Sequence, residues 1–272
     1  KLYIMKKILF LPLLLLVLYS CEPMQKKIKI PDEKFKSYLV ANYDNDGDGE
    51  ISKAEATLVE KIEISTDNVY SLEGLEHFVN LEHLDCDGSQ VGNSFRGKLT
   101  SINISNLTFL KHFSCRGNKI STLNVENNRM LETLYCDGNQ LTGINIQYNT
   151  LLKVFSCWKN QISIIDVSQN RALVTIFCRD NNIMNLDITN NVELRFLECS
   201  ENKLQTINTS KNGSLEVFAC SVNNLTTLDV SENRSLNTLA CNFNDSLYEI
   251  WFHYGQSIAT IYKDEHTVIK YK

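Results

Sequence analysis

From Leu72 to Asn244 the apolar positions recur in a fixed frame that is neither helical nor simply alternating. A leucine or similar residue stands five before a cysteine, usually Leu or Phe two before it, asparagine three after, and aliphatic residues five, eight and ten after. The frame from Leu131 runs Leu131, Leu134, Cys136, Asn139, Leu141, Ile144 and Ile146, and then Asn149 and Leu152 open the next unit. Cys86, Cys115, Cys136, Cys157, Cys178, Cys199, Cys220 and Cys241 mark the period: one interval of 29 residues, then six of 21. Each unit is predicted to supply a brief parallel strand and then a tight turn, in which the asparagine side chain satisfies backbone groups that the curve would strand. Strands stacked at their usual spacing give a body about 35 Å long. A second asparagine file, Asn128, Asn149, Asn170, Asn191, Asn212 and Asn233, is expected at the opposite turn.

Two segments depart from the frame. Between Cys86 and Leu99 the chain carries eight residues more than later units, within Asp87 to Lys98. Insertions in a solenoid emerge as surface loops and often line the binding side. After Asn244 the period fails at Ser246. Alternation near Ile258 to Tyr262 and Thr267 to Tyr271 predicts an irregular hairpin over 246–272 that seals the last rung as a C-terminal cap.

Ahead of the repeats lies Asp44-Asn45-Asp46-Gly47-Asp48-Gly49-Glu50-Ile51-Ser52-Lys53-Ala54-Glu55. Its spacing matches an EF-hand loop: Asp44, Asp46 and Asp48 at positions 1, 3 and 5, the Glu50 carbonyl at 7, Ser52 at 9 and a bidentate Glu55 at 12. One such loop, flanked by short helical stretches over 33–65, predicts one structural calcium ion clipping an N-terminal cap. The front of the chain has Lys6 and Lys7 after Met5, then an apolar run from Ile8 to Leu18, which resembles a secretory signal peptide over 1–20. A signal beginning at Met5 is complete, so residues 1–4 read as an upstream extension. Leu18-Tyr19-Ser20-Cys21 further resembles a bacterial lipoprotein signal. That resemblance implies lipid on Cys21, followed by a tether over 21–32, with the body on the outer membrane or cell surface; a periplasm-facing orientation stays open.

The frame of Cys86 through Cys241 resembles the cysteine-bearing bacterial leucine-rich repeats of the internalin group. Together with the calcium loop, it resembles more closely the surface lipoproteins of Bacteroidetes-type bacteria. The resemblance covers about residues 33–272 and implies a leucine-rich repeat solenoid over 66–245, with a parallel sheet on its concave face. Such relatives are surface or secreted binding proteins, some of them adhesive. The helical cap of internalins is here replaced by the calcium loop, so an internalin receptor does not transfer.

Composition narrows the chemistry. The 27 Lys and Arg against 32 Asp and Glu give a net charge of −5, and removing residues 1–20 takes away Lys1, Lys6 and Lys7 for −8, which argues against nucleic acid as a partner. Core leucines surround the cysteines, which form a line with no matching histidines or carboxylates, so they read as a free, buried stack. No triad or closed metal set marks an enzyme. Strand alternation directs outward the residues three before, one before and one after each cysteine. That assigns the ligand surface to Arg116, Tyr135, Asp137, Trp158, Phe177, Arg179 and Phe196, aromatic and guanidinium groups of the kind used as interface anchors. A protein or glycan from a host or from the envelope fits such a face; the alternative is a structural envelope protein with no discrete ligand site.

Overall fold

The computed structural model describes residues 26–272, so Cys21 and the signal segment lie outside the described residues. The body is a stack of rungs whose first wall is a ten-stranded parallel sheet: Lys61–Glu63, His83–Asp85, His112–Ser114, Thr133–Tyr135, Val154–Ser156, Thr175–Phe177, Phe196–Glu198, Val217–Ala219, Thr238–Ala240 and Thr260–Tyr262, in that order. This is a parallel β-solenoid. Register is strict: Leu84, Phe113, Leu134, Phe155, Ile176, Leu197, Phe218 and Leu239 face one another from rung to rung and are buried. Because each strand is only three residues long, its central side chain points inward and its ends point out. The cysteine immediately after turns back into the core.

All eight described cysteines are free and fully buried. Burial pushes their thiols up, Cys178 to about 12, and several thiols donate to the next rung, as Cys86 Sγ does to the Ser114 carbonyl at 3.2 Å. The first asparagine file does what its position predicts. Asn139 donates to the carbonyls of Cys115 and Cys136 at 2.9 and 3.1 Å and accepts from the Ile120 N–H at 3.0 Å, tying two rungs together. The second file is less complete. Asn149 donates to the Val125 and Asn128 carbonyls, yet the side-chain oxygens of Asn128, Asn149, Asn170, Asn191 and Asn212 are buried without a partner. Only at Asn233 is that oxygen met, by the Thr209 hydroxyl at 2.7 Å.

At the N-terminal end, α1 (Glu33–Tyr43) and α2 (Lys53–Ala56) flank the acidic loop. Asp32 caps α1 through the N–H groups of Lys34 and Phe35, while its other oxygen accepts from Tyr70 at 2.8 Å and from Ser71. One carboxylate thereby joins the helix to the first repeat. The expected tether over 21–32 is corrected from Lys27 onward. Ile28 and Ile30 are buried, and the Ile28 N–H reaches the Ile51 carbonyl at 2.8 Å, because two β-branched residues at alternate positions find an apolar shelf there. Among the described residues no helix is long and apolar enough to cross a membrane.

The hairpin expected at the C-terminal end is also corrected. Thr260–Tyr262 joins Thr238–Ala240 in parallel, and Val268–Tyr271 joins Glu249–Phe252 in parallel within a second sheet. The segment is one further, irregular coil. Gln256 stands in for the missing asparagine, donating to the carbonyls of Val230 and Asn233.

Candidate functional site

The residue two after each cysteine from Cys115 to Cys241 adopts a left-handed backbone: Lys159, Asp180, Glu201, Val222 and Phe243 do so with φ between 54 and 58°, and Gly117 and Gly138 with φ of 63 and 61°. Five rungs tolerate a side chain in that conformation, so the turn alone does not demand glycine. Gly117 and Gly138 answer a second requirement. The insertion after Cys86 folds as an antiparallel hairpin, Gln90–Val91 against Ser94–Phe95, and lays the Phe95 ring across both glycines. A Cβ on Gly117 would meet that ring at 2.5 Å. The hairpin is fixed further by Lys159, whose Nζ donates to the Asn93 carbonyl at 2.7 Å, and by an edge-on contact of Phe95 with Trp158, centroids 6.2 Å apart.

With the hairpin as one wall and the sheet as floor, a cavity of about 550 Å³ forms. Of the seven residues predicted for the ligand surface, Arg116, Tyr135, Asp137, Trp158, Phe177 and Arg179 line it. Phe196 does not; it lies at the other end of its strand, beyond the hairpin's reach, with the Arg195 guanidinium 5.9 Å from its ring centre. The lining also includes Ser156 and Glu198, which strand alternation placed on the same face but outside the seven, and Gln90 and Phe95 from the insertion. The legible signal was a single phenylalanine in a polar insertion together with two glycines at a position that elsewhere carries side chains.

Asp137, expected on the exposed surface, is instead 6% exposed. It accepts from the Ser156 hydroxyl, from the Trp158 N–H at 2.8 Å and from Arg116 Nε at 3.0 Å. Burial pushes its carboxyl up, against the pull of Ser156 and Arg116. The Arg116 guanidinium in turn lies 3.7 Å from the centre of the Tyr135 ring. Asp137 thus orients a hydroxyl, an indole backbone and a cation over three rungs. Asp87 repeats the motif one step earlier: it accepts from the Ser114 hydroxyl and the Arg116 N–H, both at 2.6 Å. Burial raises Asp87 to about 6, with the Ser114 hydrogen bond opposing. At the other end of these strands the His83 and His112 rings stack with centres 4.2 Å apart, and burial followed by repulsion from His83 lowers His112.

The second candidate site is the acidic loop. One carboxylate oxygen each from Asp44, Asp46 and Asp48 lies within 4.8 Å of the others, a group able to hold a metal ion. Backbone bonds shape it: Asp44 accepts from Gly47 and Gly49, Asp46 from Asp48, and Asp48 from Glu50. Glu50 turns its side chain to Lys36 at 2.8 Å. Glu55 accepts from Ser52 and from the Asn45 N–H at 2.7 Å. Although the Asp48 N–H holds Asp46 down, lost hydration and the charges of Asp48, Glu55 and Asp44 raise it overall, as expected where carboxylates crowd.

No protein-family profile and no curated protein matches the chain. Solved structures do. The functional domain of InlJ from Listeria monocytogenes, which includes a cysteine ladder, is 24% identical over 90% of this chain and 73% of that one, with a TM-score of 0.54. A leucine-rich repeat protein of Leptospira interrogans is 18% identical, covering 79% of this chain and 62% of that one, with a TM-score of 0.56. Internalin C2 of Listeria monocytogenes is 14% identical, covering 89% of this chain and 94% of its own, at 0.51. At such identities the likeness is one of fold: the chain is a parallel β-solenoid similar in fold to internalin and other leucine-rich repeat solenoids.

Proposed function

We propose that this chain is an exported, non-enzymatic recognition protein, held to a bacterial membrane through lipid on Cys21, that binds a protein or glycan partner on the concave side of its sheet. The observation that carries the reading is the cavity between hairpin and sheet, into which groups from successive rungs converge. Its rings and guanidinium groups are held on short strands, and Asp137 fixes Arg116, Ser156 and the Trp158 backbone, which lowers the ordering cost of binding. Asp137 accepts from three donors on neighbouring rungs, so it positions its neighbours. Adhesion at a cell surface is the role that such a face serves.

Calcium is the ion that suits the acidic loop, because its donors are all oxygen and its spacing is that of a seven-coordinate cation. Asp44, Asp46 and Asp48 would bind through side chains, Glu50 through its carbonyl and Glu55 through its carboxylate, with Ser52 capping α2. The role is structural: the loop joins α1 to the shelf on which Ile28 and Ile51 pack.

The test is affinity capture from host secretions and from the organism's own envelope, comparing the unsubstituted protein with Trp158→Ala and Tyr135→Ala. A true partner is retained at least about tenfold less by both variants. Equal retention removes this face from the reading.

A further inference from the structure

The lining of the cavity carries more than its existence. We infer that it seats a single neutral hexose at the end of a glycan chain, a step that rests on the recognition role proposed above. Four properties lead there. The volume, about 550 Å³, is that of a small-ligand site and admits a pyranose ring with its substituents. Of the rings around it, Tyr135 has one face already covered by Arg116 and Phe95 is packed against Gly117, Gly138 and the edge of Trp158, which leaves Trp158 and the 38% exposed Phe177 as surfaces for stacking. These come from adjacent rungs and form an apolar floor.

Polar capacity sits at the edge of that floor. One oxygen of Glu198 accepts from the Ser200 N–H at 3.0 Å, and its second oxygen is available to a ligand. Gln90 donates through Nε2 to the Gly92 carbonyl, so its side-chain oxygen is an open acceptor. Arg179 bonds Glu201 through one nitrogen in an exposed pair that exchanges readily, and its remaining N–H groups are donors. A pyranose has the matching pattern, with C–H groups on its faces and hydroxyls that both donate and accept around its rim. A hydrocarbon side chain from a peptide would instead desolvate Glu198 and Gln90 with nothing in return.

Charge then selects among sugars. Arg116 and Arg179 are balanced by Asp137 and Glu198 in the lining, and Arg116 is already committed to Asp137 at 3.0 Å. A sialic or uronic acid would bring a carboxylate beside Glu198, and the one cation able to turn to it, Arg179, would have to give up Glu201. A neutral hexose carries no such conflict.

The experiment probes the purified full chain on a printed array of oligosaccharides ending in neutral hexoses, sialic acid or uronic acid. Expected is binding to spots with a neutral hexose terminus, weakened at least about tenfold by Trp158→Ala and by the near-isosteric Glu198→Gln. Ile164→Ser, at an exposed position that lines no part of the cavity, should leave it unchanged. Circular dichroism confirms that each variant is folded. Binding confined to acidic termini, or neutral binding untouched by both cavity variants, overturns the inference. If a protein is captured through Trp158 and still binds after periodate has destroyed its glycans, the sugar assignment fails while the recognition role stands. An empty array together with no Trp158-dependent partner removes both.

Discussion

The Phe95 ring occupies the space into which a side chain on Gly138 would project: a Cβ there would sit 2.1 Å from Cε2 of the ring. The insertion and the third full rung are therefore fitted to each other, and each side of that fit can be tested separately. Gly138→Ala should cost about 1–2 kcal/mol for the left-handed backbone alone and more for displacing the ring. In a Phe95→Ala background the second part should vanish, giving a coupling of about 1–2 kcal/mol in a urea-unfolding cycle. Strictly additive losses would mean that the hairpin is not seated there. Gly143→Ala, with open space around it, is the control.

The orphaned oxygens of the second asparagine file make an unusual prediction. Thr209 meets Asn233 where earlier rungs have Val125, Ile146, Val167 and Ile188. Val167→Thr should therefore bring a hydroxyl to the unpartnered oxygen of Asn191 and be near neutral or stabilising. Val230→Thr, with no asparagine 24 residues on, should cost about 1–2 kcal/mol. Equal losses in thermal melts of the two variants would contradict the geometry.

Thiol reactivity reads the register of the rungs. The thiols from Cys86 to Cys241 are buried and held far from the thiolate form, so a disulfide reagent at neutral pH should leave them unmodified while the chain is folded and label them rapidly in denaturant. Ready labelling of several in the folded state would show that the stack is open.

Removing calcium should lower the melting temperature by several degrees while the strand signal in circular dichroism persists, since an ion that binds only the native loop stabilises by linkage. Asp44→Ala should melt like the chelated protein and gain nothing from added calcium. Identical melting curves with and without chelator would exclude the clip.

Asp87 sets a pH dependence whose sign is opposite to that of most carboxylates. Its folded value of about 6 lies above the ordinary 3.8, so between those values the native state holds more protons than the unfolded chain. Its contribution to stability is therefore present at low pH and lost as pH rises through about 6. Relative to Asp87→Asn, the unsubstituted protein should gain stability on going from pH 7.5 to 5, by about 1.4 kcal/mol, the share of the shift that this range covers. A constant difference across that range would show that Asp87 titrates normally.

Much of the site was legible because strand alternation and a strict period are local rules. Once the cysteines were read as inward rungs, Arg116, Tyr135, Trp158, Phe177 and Arg179 had to share one face, and they line one cavity. Asp137 obeyed the same rule and yet is buried, since its burial comes from Arg116 and Ser156 on neighbouring rungs. Phe196 satisfied the pattern and misses the cavity, because periodicity names a face and does not say how far along the strands a hairpin reaches.

The repeat frame by itself determined the solenoid, the buried cysteine line and the asparagine that ties each rung to the last, because every unit meets the same neighbours and a position's environment follows from its place in the period. Only the tertiary structure decided what happens where that repetition stops. Apolar alternation after Asn244 carries no information on strand direction, and packing on the preceding coil made it parallel. Ile28 and Ile30 looked like tether until a shelf existed to bury them. The insertion became a wall only because two glycines, distant from it in the chain, leave room for one ring.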